Sequence, residues 1–306
     1  MWKNGWKGRR RRWLSHDLWV ILIGSLVAGS CGLIGSLMVL RKLSMVGDAI
    51  SHAVLPGIVL AFLFSNSMST PVMVLGAAVF GLLATIFIQG MEHLGIQTEA
   101  AIGISFTALF ATGVVLLSLF ADSVHLDLQH VLYGEIAYEP YYLITLGGIT
   151  LPKAIWVMGS VFLITLFLIF LFYKELKITS FDPILASSLG IPVLFFHYLA
   201  MGLVSLNTVA AFESVGAILV VAMLIVPGAI AYLWTNRFHR MLVLSVFFGV
   251  LSAVSGYWLA ALFDVSIAGM MGVSAALLFI FSFCFSPNQG VFIRYLLRKR
   301  LRESAN

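Results

Sequence analysis

Nine stretches of the sequence, 18–40, 45–65, 70–90, 100–120, 154–173, 192–211, 214–234, 241–263 and 267–286, are each apolar for about 20 residues. That length in helical form spans the hydrocarbon of a bilayer. Within hydrocarbon, every backbone N–H and C=O must be satisfied internally, which leaves helices or closed barrels. The runs are continuously apolar rather than alternating, and this excludes a barrel. Only 10% of the residues are charged, against about a quarter in a soluble domain. The expected fold class is therefore an all-α polytopic membrane protein with eight or nine transmembrane helices. No linker divides it. A single transmembrane domain, 18–290, is expected between a basic extension, 1–17, and a basic tail, 291–306.

The net charge of +5 reads as a topology signal rather than a nucleic-acid footprint, because Lys and Arg cluster beside the apolar runs. Arg294, Arg298, Lys299, Arg300 and Arg302 place the C-terminus in the cytoplasm. Counting back, Arg237 and Arg240, then Lys174 and Lys177, then Arg41 and Lys42 fall on the same side. Segment 121–140 falls outside and carries Asp122, His125, Asp127, His130, Glu135 and Glu139 with no Lys or Arg. Such a loop either attracts cations or is simply solvated. "KGRRRR" conflicts with this scheme. Nine spans put it outside, whereas eight would follow if one run, such as 45–65, did not cross. The first run lacks a small-residue cleavage site and is expected to be a retained span.

Asp48 and His52, in "VGDAISHAVLPG", are four residues apart and share a helix face. A carboxylate at bilayer depth is costly unless it is paired or lines a wet path. Together with an imidazole it suits Mn2+, Fe2+ or Zn2+. Two ligands do not close a site, and a dimer would double them. Pro56 and Gly57 weaken the helix and free carbonyls beside the pair. The alternative is a structural Asp–His hydrogen bond at the cytoplasmic helix end. Glu213, at the junction of the sixth and seventh runs, is either a secondary ligand or gate, or a turn residue near water. His197 is read as a packing residue. Cys31 and Cys284 form no disulfide framework, and Gly24, Gly29, Gly32 and Gly35 read as helix-packing positions.

"SFDPILASSLGIPV" interrupts the apolar pattern. Asp182 is a candidate N-cap, Pro183 a first helical residue and Gly190 a terminator. A short amphipathic helix there, within 174–191, is either a docking element for a cytoplasmic partner or an interfacial connector. No phosphate-binding loop, H-E-x-x-H or G-x-S-x-G is present, so nothing indicates ATP hydrolysis by that route or a membrane enzyme.

"RKLSMVGDAISHAVLPGIVLAF", "FESVGAILVVAMLIVPGAIAYL" and "FDPILASSLGI" closely resemble the signatures of permease subunits of metal-ion ATP-binding-cassette importers, the manganese, zinc and iron group. "LDLQHVLYGEIAYEP" is similar to the manganese-type subunits. The resemblance covers roughly 18–290 and implies a type II importer-like fold in the bacterial plasma (inner) membrane. It further implies a transported ion, Mn2+ ahead of Zn2+ or Fe2+, with no permanently bound cofactor. The implied partners are a cytoplasmic ATP-binding subunit that hydrolyses ATP, an extracytoplasmic metal-binding protein, a second permease subunit (related chain or self) and membrane lipid, with no nucleic acid. Asp48 and His52 would contact the ion, with Glu213 as a further metal residue. Asp182, Pro183, Ala186, Leu189 and Gly190 would couple to the ATPase. Two other readings stay open: a stand-alone proton- or ion-coupled secondary metal transporter, and an intramembrane metalloenzyme that lacks a third ligand and a base.

Overall fold

The structure, a computed structural model, describes residues 3–65, 70–120, 136–146, 148–287 and 290. Side chains at 3–15, 70, 71, 74, 146, 149 and 213 are not among those described. In chain order the elements are α1 (Lys3–Leu40), α2 (Ser44–Ser65), α3 (Thr70–His93), α4 (Thr98–Phe120), a 3-10 turn (Glu139–Tyr141), β1 (Leu143–Leu146), β2 (Ile149–Pro152), α5 (Lys153–Leu171), α6 (Tyr173–Phe181), α7 (Pro183–Ser188), α8 (Val193–Val215), α9 (Ala217–Trp234), α10 (Phe238–Phe263) and α11 (Ile267–Phe285). Among the described residues, nine helices are long and apolar enough to cross a membrane, with the first span at His16–Leu40. The run containing Asp48 is a full 22-residue helix, long and apolar enough to cross a membrane.

Two contacts fix the relative sides. His16 Nε2, at the start of the first span, donates to the Ala137 carbonyl at 3.0 Å, and its ring lies 5.2 Å from Tyr141. Arg41, just past the other end of α1, reaches Thr179, Ser180 and the Phe196 carbonyl. The start of the first span thus shares a side with 136–142, opposite α6, α7 and the α1–α2 turn. The basic extension runs into α1 without a break.

One feature departs from the all-α expectation. β1 and β2 pair antiparallel, Leu143 with Pro152 through Leu146 with Ile149. Gly148 turns the chain with φ +83°, a conformation open to glycine at little cost. Four-residue strands give too few alternations to be legible as such.

α1 is the central helix. Val20, Ile23, Val27, Ala28, Cys31, Ile34 and Leu37 are all fully buried. Hydrophobic driving force between helices is weak in lipid, so close packing of small residues and internal hydrogen bonds hold the bundle. Ser30 of α1 donates to Asn207 Oδ1 of α8, and Asn207 Nδ2 donates to Thr165 Oγ1 of α5 at 2.8 Å. At Gly35, α1 crosses α9 in backbone contact. A Cβ there would collide with the Leu224 carbonyl, and one on Gly228 would lie 2.9 Å from Ser36 N. Backbone cannot yield as a side chain can, so Gly35→Val is expected to cost about 3 kcal/mol or more. The check is folded chain recovered from membranes: a marked loss is expected, and wild-type recovery with an unchanged melting temperature would contradict the crossing.

Candidate ion-binding site and coupling segment

α2 carries Asp48 and His52 to the middle of the bundle. Gly47 lies against Leu224 and Val204, and Gly81 faces both Ser205 and Ile50. Val204, Ser205, Gly81 and Leu224 are all central residues of their own helices. Asp48 and His52 are the fifth and ninth residues of α2, and this part of α2 lies beside the middle of α8 and α9. Asp48 Oδ1 and His52 Nε2 are 3.6 Å apart, too long for a hydrogen bond. Their side chains are 48% and 28% exposed. Both groups keep lone pairs free and share an accessible face.

The surroundings orient the imidazole without engaging it. Its ring lies 5.1 Å from Phe106 and 5.6 Å, edge-on, from Phe110, both on α4. Gly113 brings α4 close, since a Cβ there would lie 2.9 Å from Pro56 N. Pro56 itself sits inside α2 and has no N–H to close the turn onto the carbonyl of residue i−4, which is His52. One residue thus contributes an imidazole and a carbonyl lacking its usual helical partner. On the opposite flank, Gly57 and Gly76 let α2 and α3 touch through backbone.

Among the described residues, no three His, Cys, Asp or Glu groups come together. Two such groups do not close a metal site by themselves, and a full coordination shell there would need further donors. Glu213 falls in the last turn of α8, and the helix break comes three residues later at Gly216, φ +79°. The polar residue pointed to a turn that the glycine supplies. Glu213 stands nine residues beyond Val204, about 14 Å of helix rise toward the far end of α8. Its side chain is not among those described. Asp122, His125, Asp127, His130, Glu135 and the tail 291–306 also lie outside the described residues, and Glu139 opens the 3-10 turn. His197 is on α8 with its ring 5.9 Å from Tyr198. Cys31 is buried and Cys284 partly so, both free.

The segment after α6 folds as its residues dictate. Asp182 Oδ1 accepts from Leu185 N at 2.9 Å, and Pro183 opens α7. Gly190, φ +76°, donates to Ser187 O, and Ile191 N donates to Ala186 O, a Schellman closure. Ala186 is buried against the bundle, while Ile184, Leu185 and Leu189 are 79%, 50% and 60% exposed. The short, doubly capped helix thus presents a cluster of exposed apolar side chains.

A contact that sequence reasoning did not single out ties this segment to α2. The Arg41 guanidinium donates to Ser180 Oγ and Thr179 Oγ1, both at 3.0 Å, and more distantly to the Phe196 carbonyl at 3.5 Å. Burial pushes Arg41 down to about 10, so it is charged at neutral pH. Lys42, φ +58°, then turns the chain directly into α2. "RKLS" reads as an ordinary flanking charge pair, and only tertiary packing reveals the strut.

Residues 16–286 match the model of the ABC 3 transport family. The manganese transport system membrane protein MntD of Bacillus subtilis is 50% identical, over 92% of this chain and 96% of its own. The zinc transport system membrane protein TroD of Treponema pallidum is 42% identical, over 92% and 77%. Among solved structures, PsaBC from Streptococcus pneumoniae in complex with Fab superposes with a TM-score of 0.76 at 39% identity, covering 93% of this chain and 95% of that one. A family model matched over residues 16–286 and relatives 50% and 42% identical over nearly the whole chain agree on one assignment: the chain belongs to the ABC 3 transport family.

Proposed function

We propose that this chain is the permease subunit of an ATP-driven importer and passes Mn2+ into the cytoplasm at a point formed by Asp48 and His52. The carrying observation is the pair itself: two ligand-type groups on one helix face, accessible and not bonded to each other. A carboxylate and an imidazole without thiolate suit Mn2+, and also Fe2+ or Zn2+. The manganese-transport relative at 50% identity favours Mn2+. A second permease subunit, a related chain or a copy, would supply the missing donors. Glu213, toward the outer end of α8, would meet the ion first.

The ATP-binding subunit would dock on α7, through Ile184, Leu185 and Leu189, in the frame set by Asp182, Pro183, Ala186 and Gly190. On this reading α6, α7 and the C-terminus face the cytoplasm. The start of α1 and the 136–152 segment then face outward, where a metal-binding protein would deliver the ion. "KGRRRR" consequently stands outside, against the positive-inside tendency, which first helices usually but not always obey. The exposed docking helix argues against a secondary transporter that works alone.

Elemental mass spectrometry of metal-starved cells, with the intact system and with this chain deleted, tests the reading. A selective loss of cellular manganese on deletion is expected. A loss confined to zinc or iron would overturn the choice of ion, and no loss of any metal would overturn the import role. Uptake that survives loss of the ATPase would mark a secondary transporter.

A further inference from the structure

A cleft of about 970 Å3 opens between α5 and α10, with α1 at its back. Phe162, Leu166 and Phe170 form one wall; Leu242, Val246 and Phe247 form the other. Phe170 is 82% and Phe247 57% exposed, so the cleft opens toward the bilayer. At the end nearest α6 its lining turns polar, at Tyr173, Lys174, Glu175 and His239. A second cavity of about 350 Å3 follows directly, sharing Tyr173 and His239 and adding Lys177, Asn236 and Arg237.

The two chambers differ in the way an amphiphile does. Lys174, Lys177 and Arg237 surround the mouth with one carboxylate, Glu175, among the lining residues. None of the three cations stands in an ion pair among the described residues. Asp182, at the end of α6, is already engaged with Leu185 N. The apolar part runs eight residues along α10, from His239 to Phe247, about 12 Å. That is a little under half of the roughly 30 Å hydrocarbon thickness, close to the depth of a single leaflet. A soluble anion would leave the apolar chamber unfilled, and a neutral lipid would leave the cations without a counter-charge. Basic pockets between membrane helices recognise acidic headgroups.

We propose that the two cavities together hold one anionic phospholipid from the leaflet beside α6, its phosphate at Lys177 and Arg237 and an acyl chain between α5 and α10. The lipid bridges α5, α6 and α10, and α6 leads straight into the docking helix.

The full chain, purified from membranes into nanodiscs of equal phosphatidylcholine and phosphatidylglycerol, provides the test, with native mass spectrometry reading the lipid retained. Retention of phosphatidylglycerol over phosphatidylcholine is expected, falling about fivefold for each of Lys177→Gln and Arg237→Gln. Val243→Trp, which narrows the apolar chamber and spares the cations, is expected to lower total retained lipid. Equal retention of both lipids by the wild type, or preference unchanged in all three variants, would overturn the site. So would efficient cross-linking of a Phe170→Cys variant to a second permease subunit, which would make the cleft a protein interface. No metal is read, so failure here leaves the ion path untouched.

Discussion

Asp48→Ala is expected to lower manganese accumulation by about 100-fold or more, the upper end of what disturbing a metal site's outer shell costs. The amount of chain in the membrane should stay constant. Asp48 is about half exposed, and among the described residues its side chain makes no hydrogen bond that holds the bundle. α2 packs through its buried neighbours Gly47, Ala49 and Ile50. Truncation therefore opens no cavity. Asp48→Asn sharpens the test, because it preserves volume and removes the charge. An Asn variant that accumulates manganese normally would return Asp48 to a bystander role. His52→Gln is the matching change, since it keeps a polar group between Phe106 and Phe110 while removing the imidazole. Its loss should be of the same order, and the double variant should be little worse than either, because two ligands to one ion do not act independently.

Arg41→Ala has the other large expected effect, and it separates two activities. The guanidinium holds the α1–α2 turn to Thr179 and Ser180, directly before the Asp182 cap of α7. The same turn starts α2, four residues before Asp48. On the proposed function, movement of α7 would reach Asp48 and His52 through this one side chain. Charge-assisted hydrogen bonds contribute about 1.5–3 kcal/mol each, so removing these two loosens the joint without dissolving the bundle. Import is expected to fall roughly tenfold or more while the assembled complex still hydrolyses ATP. Arg41→Lys should rescue little, because a single ammonium cannot reproduce the fork that reaches both hydroxyls. Import at the wild-type rate in Arg41→Ala, or a proportional loss of hydrolysis and import, would rule out a coupling strut.

Much of this was legible from residues alone. Every apolar run became a helix, because a bilayer leaves a continuously apolar segment no other way to satisfy its backbone. The Asp182–Pro183 start and Gly190 stop were also readable, since capping is local chemistry. What stayed hidden depends on packing. The depth of Asp48 and His52 follows from Gly47, Gly81 and their partners on α3, α8 and α9, which no local pattern encodes. Glu213 suggested a turn that Gly216 makes instead. Arg41 looked like a topology signal and proved to be a partly buried link between segments some 140 residues apart.

Direct ligation by His52 is the central claim, and pulsed electron paramagnetic resonance of Mn2+ bound to the purified complex tests it most directly. With 15N-labelled histidine incorporated, the wild type should show 15N coupling to the ion, and His52→Gln at saturating Mn2+ should lose it. A fully loaded wild-type complex without histidine nitrogen coupling, or coupling that persists undiminished in His52→Gln, would contradict ion passage at this pair.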